Sequence, residues 1–107
     1  MRKYPMTESI ARREYSLVDP QGAASVVVEI GKPAPMPDTP HEDWYCPWTV
    51  RSRGDVRQHW AAGVDPVQAL LLAISGLRAD LQALGRRGKL TWLDDENLGI
   101  ELVGPAA

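Results

Sequence analysis

A chain of 107 residues and 11.8 kDa has room for one hydrophobic core and no more. Its 44% apolar and 24% charged residues are globular averages, which excludes a disordered tail or a fibrous repeat. Twelve Lys and Arg against 14 Asp and Glu leave a net charge of −2, so no overall basic field draws the chain onto nucleic acid or anionic lipid.

No apolar run approaches the roughly 18–20 residues of a bilayer span. The opening MRKYPMTESIARRE lacks the apolar centre of a secretory signal. The single Cys46 excludes an intrachain disulfide and cannot by itself build a multi-thiolate zinc site. These features predict a small cytoplasmic protein: one domain over 10–103, with flexible ends at 1–9 and 104–107.

From Ile10 to Val18 the pattern alternates, with Ala11, Arg13, Tyr15 and Leu17 on one side, as in a half-buried strand. Asp19-Pro20-Gln21-Gly22 is a turn, because Pro presets φ and Gly accepts a positive one. The β-branched run Ser25–Ile30 returns as the second strand of a hairpin, with Val26, Val28 and Ile30 inward. After Gly31, the prolines 33, 35, 37 and 40 each remove a backbone donor and predict a stiff, irregular connector.

Trp44–Val50 reads as a third strand with Trp44, Cys46, Trp48 and Val50 on one face, and Val56–Ala61 as a fourth. Pairing Val50 with Val56 sets Trp48 opposite Gln58 and Cys46 opposite Trp60. A slip of one residue would put Arg57 and His59 beside the tryptophans, so hydrophobic matching favours the first register.

Asp65-Pro66-Val67-Gln68 is a helix start, with an N-cap carboxylate, Pro at N1 and a capping-box glutamine. Val67, Leu70, Leu71, Ile74, Leu77, Leu81 and Leu84 predict the buried stripe, and Gly85 the terminating residue. Leu90–Leu93 and Leu98–Leu102 read as two short strands around an acidic turn.

The succession Ile30-Gly31-Lys32-Pro33, Trp44-Tyr45-Cys46-Pro47-Trp48, Gly63-Val64-Asp65 with Gln68-Ala69-Leu70, and Leu90-Thr91-Trp92-Leu93 resembles a family of short bacterial proteins known only as a domain of unknown function. The likeness spans residues 10–102. Its motifs are architectural, and what it implies is a compact bacterial domain without an attached activity.

The residues that could carry chemistry are few. Cys46 and His59 form the one thiol–imidazole combination, on opposite faces in the favoured register, and a thiol between tryptophans is usually a small buried hydrophobe. His41, Glu42, Asp43, Cys46 and His59 could supply metal ligands, but they show neither CxxC nor an i,i+4 pair on a helix. Arg51, Arg53, Arg57 and His59 make a local basic stripe, with Tyr45 and Thr49 expected on the same outward face.

The expected fold is α+β: an antiparallel sheet of four to six strands with one long helix on one face. Tryptophans 44, 48, 60 and 92 join the helix leucines in one core, and the other sheet face is left open. The expected function is that of an interaction protein (adaptor, inhibitor or immunity-type module) without cofactor or metal. Its partner is an unknown protein or a second copy, not a membrane or nucleic acid. The expected surface comprises Leu72, Gly76, Ala79 and Ala83, a ridge of mostly small residues opposite the leucine stripe, with Tyr45, Arg51, Arg57 and His59. The alternative is a small-molecule or metal-assisted enzyme using His41, Cys46 and His59.

Overall fold

The computed structural model describes residues 4–39 and 42–101. Among these described residues five strands precede the helix: β1 (Ser9–Asp19), β2 (Gly22–Gly31), β3 (Ala34–Pro35), β4 (Trp44–Ser52) and β5 (Asp55–Gly63). Helix α1 (Pro66–Gly85) and strand β6 (Lys89–Thr91) follow. All six strands form one antiparallel sheet against which α1 packs, so the fold is α+β. One long edge of β4 carries β5; the other carries β2 and then β3, and β1 and β6 lie beyond β2.

Part of the proline-rich connector is therefore strand. Ala34 and Pro35 pair with Tyr45 and Trp44 on the edge of β4 that β2 has vacated. The register of β4 slips by one residue between its β2 and β3 segments, and Pro47 lies in that interval. A residue without an N–H fits where the ladder is already broken.

The β4–β5 register is the one that hydrophobic matching disfavours. Ser52 faces Asp55 across a two-residue turn in which Arg53 and Gly54 both have positive φ, 52° and 79°. A primed turn of this kind suits the strand twist, and it sets Val50 against Arg57, Trp48 against His59 and Cys46 against Ala61. Turn geometry outweighs the apparent side-chain matching. Matching was a weak guide because Trp60 has a second face on which to pack.

That second face is not left open along β4 and β5. Tyr4 is only 3% exposed, its ring 5.0 Å from Tyr45 and 4.4 Å from Trp60. The backbone carbonyls of Tyr4 and Pro5 accept from Gln58 Nε2 and the Tyr45 hydroxyl at 3.2 and 3.0 Å, and Lys32 N–H donates to Glu8 at 2.8 Å. Residues 4–8 thus lie over the sheet rather than fray from it; Met1 to Lys3, and the expected flexible segment 104–107, fall outside the described residues. Trp60, 45% exposed, belongs to this aromatic cluster and not to the helix-side core.

The helix-side core holds Tyr15, Leu17, Val26, Val28, Cys46, Trp48, Val50, Leu77, Leu81 and Leu90. Helix α1 starts as its sequence implies: Asp65 accepts from the Gln68 N–H at 2.7 Å, and Gln68 Oε1 accepts from the Val64 N–H at 2.7 Å. Its end extends one residue beyond expectation, taking in Gly85, with Arg86 as the C-cap. The fully buried positions are Ala69, Ala73, Leu77 and Leu81. The helix is therefore rolled toward its small residues, and Val67 and Leu71, expected inside, are 64% and 52% exposed.

Gly76 explains the roll. A Cβ on this residue would overlap the Trp48 ring, so the absent side chain is the space the indole occupies. Gly76 therefore leaves the outward ridge to which the helical wheel assigned it. Beyond β6, only the Trp92–Asp95 bridge continues the pairing among the described residues. The segment read as a last strand instead lies against the core through half-buried Leu98 and Ile100. Its Leu98 carbonyl accepts from the Tyr15 hydroxyl at 3.0 Å, and Arg13 stacks 3.9 Å over the Trp92 ring.

Two stability measurements test this packing. Replacing Asp65 by Ala removes the cap acceptor and lowers unfolding free energy by about 1 kcal/mol in a denaturant titration. Gly76→Ala would stabilise an exposed helix by about 1 kcal/mol. Here it displaces Trp48 and lowers the melting temperature, with a shift in tryptophan emission.

Candidate functional site

Alternation along β4 and β5 distributes the residues that the sequence suggested as a surface. Cys46, Trp48 and Val50 share the helix-facing side with Ala61, His59 and Arg57 opposite them. Tyr45, Thr49 and Arg51 face the other way. The expected basic stripe is thus split between the two faces of the sheet, because the observed register moves every β5 side chain across. Tyr45 and Thr49 are buried, Tyr45 beneath the N-terminal segment.

His59 lies on the helix side, its ring 5.4 Å from that of Trp48. The Trp48 indole N–H donates to Asp80 Oδ2 at 2.8 Å, and His59 Nε2 is 3.8 Å from the same oxygen. Asp80 sits one helical turn after Gly76, so one side of the helix provides both the space for the indole and the acceptor for its polar edge. Sequence reasoning missed Asp80. The available signal was the four-residue spacing of a glycine and a carboxylate on one helix side, with a tryptophan strand to receive them.

Cys46 is fully buried, and its thiol donates to the Gly31 carbonyl at 3.4 Å, across β4 from β5. It shares a sheet face with His59 after all, but Ala61 is the residue opposite it. Burial pushes the thiol up to about 11, which keeps it protonated at neutral pH. Among the described residues no three His, Cys, Asp or Glu side chains come together as metal ligands. His41 lies outside the described residues.

Between the C-terminal half of α1 and the β4–β5 hairpin lies a cleft of about 280 Å³. Leu17, Val50 and Leu84 give it apolar walls, and Arg53, Arg57, Arg87, Asp19, Asp55 and Asp80 line it. Arg53 closes one end in a two-pronged pair with Asp19, at 2.6 and 2.8 Å, tying the β1–β2 turn to the β4–β5 turn. That pair holds the Asp19 carboxyl below its ordinary range and raises the Arg53 guanidinium.

The first half of α1 presents a different surface. Val67, Leu71 and Leu72 are exposed, as is Val64 just before the helix, and Leu70 and Ile74 are half-buried. No charged residue occurs between Pro66 and Leu77. With Arg78 and Asp80 as its only charges, α1 is long and apolar enough to cross a bilayer by length and composition, which a count of uninterrupted apolar runs overlooks. A core helix meets the same test, and one side of α1 packs on the sheet. Of the expected ridge, Leu72, Ala79 and Ala83 are exposed, whereas Gly76 is covered by Trp48.

The sequence pattern of a family described as a domain of unknown function, DUF6968, matches residues 11–102, and the chain belongs to that family. No curated protein and no solved structure matches the chain.

The raised thiol has a measurable consequence. As pH rises above about 9, the unfolded chain releases the Cys46 proton while the folded chain keeps it, so this group lowers stability progressively from pH 9 to about 11. Below pH 9 it contributes no slope. Denaturant titrations across this window should show a steeper decline for the wild type than for Cys46→Ala, and native Cys46 should react with a thiol reagent far more slowly than the unfolded chain.

Proposed function

We propose that this member of the DUF6968 family is a binding module that meets a partner protein through the uncharged first half of α1. The observation that carries the reading is the exposure of Val67 and Leu71, at 64% and 52%, within a stretch of helix free of charge. A monomer's outer helix face ordinarily carries charged or polar residues opposite its buried stripe. Here Gln68 and Ser75 are the polar exposed residues in that stretch.

The surface continues beside the helix. A groove of about 310 Å³ lies between α1 and β1, with Ala11, Val28, Ile30, Ile74, Leu77 and Ile100 as its apolar lining. Arg12, Arg13 and Glu101 also line it. A ridge next to an apolar groove with charged neighbours has the composition of an interface core with a polar rim. An adaptor or inhibitor would use such a surface, and so would a two-fold homodimer. The absence of charge on the ridge lets two copies meet without like-charge opposition.

The experiment compares the wild type with Val67→Glu and Leu71→Glu. Both sites are exposed, so melting temperatures should stay close to wild type. Light scattering coupled to size exclusion reads self-association, and quantified capture from host lysate reads other partners. A partner lost by both variants, or a dimer converted to monomer, supports the proposal. Partners and oligomeric state identical in all three proteins overturn it.

A further inference from the structure

We infer that the cleft between the C-terminal half of α1 and the β4–β5 hairpin binds a carboxylate carried on a short aliphatic body, held by Arg57 and Arg87. This inference is independent of the surface proposed above, which occupies the other end of the helix.

The charges lining the cleft are of three kinds. Arg53 and Asp19 satisfy each other through both prongs and are structural. Asp80 accepts the Trp48 indole N–H, with His59 Nε2 3.8 Å from the same oxygen. Arg57 meets Asp55 only through Nε, at 3.5 Å, with both side chains largely exposed, and Arg87 has no ion pair among the described residues. Two arginines whose guanidinium groups are not fully engaged by a carboxylate therefore line the same cavity. Arg57 comes from β5 and Arg87 from just beyond α1, so their convergence depends on the fold and not on neighbouring sequence positions.

Guanidinium groups recognise planar carboxylates and tetrahedral phosphates alike, so the rest of the lining must choose. Asp55 and Asp80 oppose a dianion, which leaves a single negative charge as the better match. Leu17, Val50 and Leu84 offer apolar contact rather than further donors. A ligand there gains by burying a few carbons, which a bare inorganic ion lacks. At about 280 Å³ the cavity lies at the lower limit of small-molecule sites, roughly 300–1,000 Å³, and suits one branched aliphatic chain. The same chemistry is borne by a free short-chain acid and by an aliphatic residue at the end of another polypeptide.

The probe is isocaproate, titrated into the full chain labelled with ¹⁵N. The Trp48 indole N–H is the reporter, because its acceptor lines the cleft. A saturable shift of that resonance is expected, weakened at least tenfold in Arg57→Ala and in Arg87→Ala. Both are exposed residues, so circular dichroism and melting temperature should show the fold intact. Isocaproamide, which has the same body without the charge, should leave the resonance unmoved. Acetyl-dialanyl-leucine distinguishes the sources: tighter binding than isocaproate assigns the site to a chain end, and weaker binding assigns it to a free acid. No saturable shift, equal binding by the amide, equal competition by inorganic phosphate, or wild-type affinity in both arginine variants overturns the inference.

Discussion

Trp48 lies against Gly76 with its indole N–H on Asp80, and much of the remaining architecture is arranged around that contact. The indole is too large to sit beneath a leucine-bearing helix face at close approach, so α1 turns its small residues inward. Ala69 and Ala73 continue the close contact toward the start of the helix, while Leu77 and Leu81 fill the space on its other flank. Every side chain of a helix is fixed relative to the others, so seating one side determines what the opposite side shows. Val67 and Leu71 are exposed because Ala69, Ala73 and Gly76 are not.

β4 bears the corresponding demand on the sheet. It is buried from Tyr45 to Val50, which requires cover on both faces. The helix covers Cys46, Trp48 and Val50, and the segment from Tyr4 onward meets Tyr45 and its neighbour Trp60. A single-helix sheet protein would otherwise leave an aromatic surface in water. A short stretch without regular structure can supply this cover because its exposed carbonyls find donors in Gln58 and Tyr45.

The two surfaces proposed for binding differ in kind, and they lie toward opposite ends of the helix. Its first half offers apolar side chains with no charge to orient a ligand, which suits broad contact with another protein. Its far end opens onto a small cavity where charged groups converge from separate elements, which suits one small group held in a fixed orientation. The Arg53–Asp19 pair contributes to the second by joining two turns at the edge of the cleft, a role that fits a pair whose hydrogen bonds are already complete.

Local chemistry made several elements readable from the sequence alone. The β1–β2 hairpin follows from alternation around a Pro-containing turn, and the helix start from Asp65, Pro66 and Gln68, because these signals act between residues a few positions apart. The α+β class and the family resemblance were legible for the same reason. The β4–β5 register, the cover supplied by Tyr4, the strand character of Ala34 and Pro35, and the roll of α1 were decided only in the tertiary structure. The register follows the Arg53-Gly54 turn, and side-chain matching does not reveal it because Trp60 can pack on either sheet face. The others depend on which distant side chain takes a given space, since a helix with leucines on several sides has more than one apolar stripe to bury. Periodicity measures how apolar each direction is. It does not measure how closely a neighbour must approach, and that closeness placed Gly76 inside and Leu71 outside.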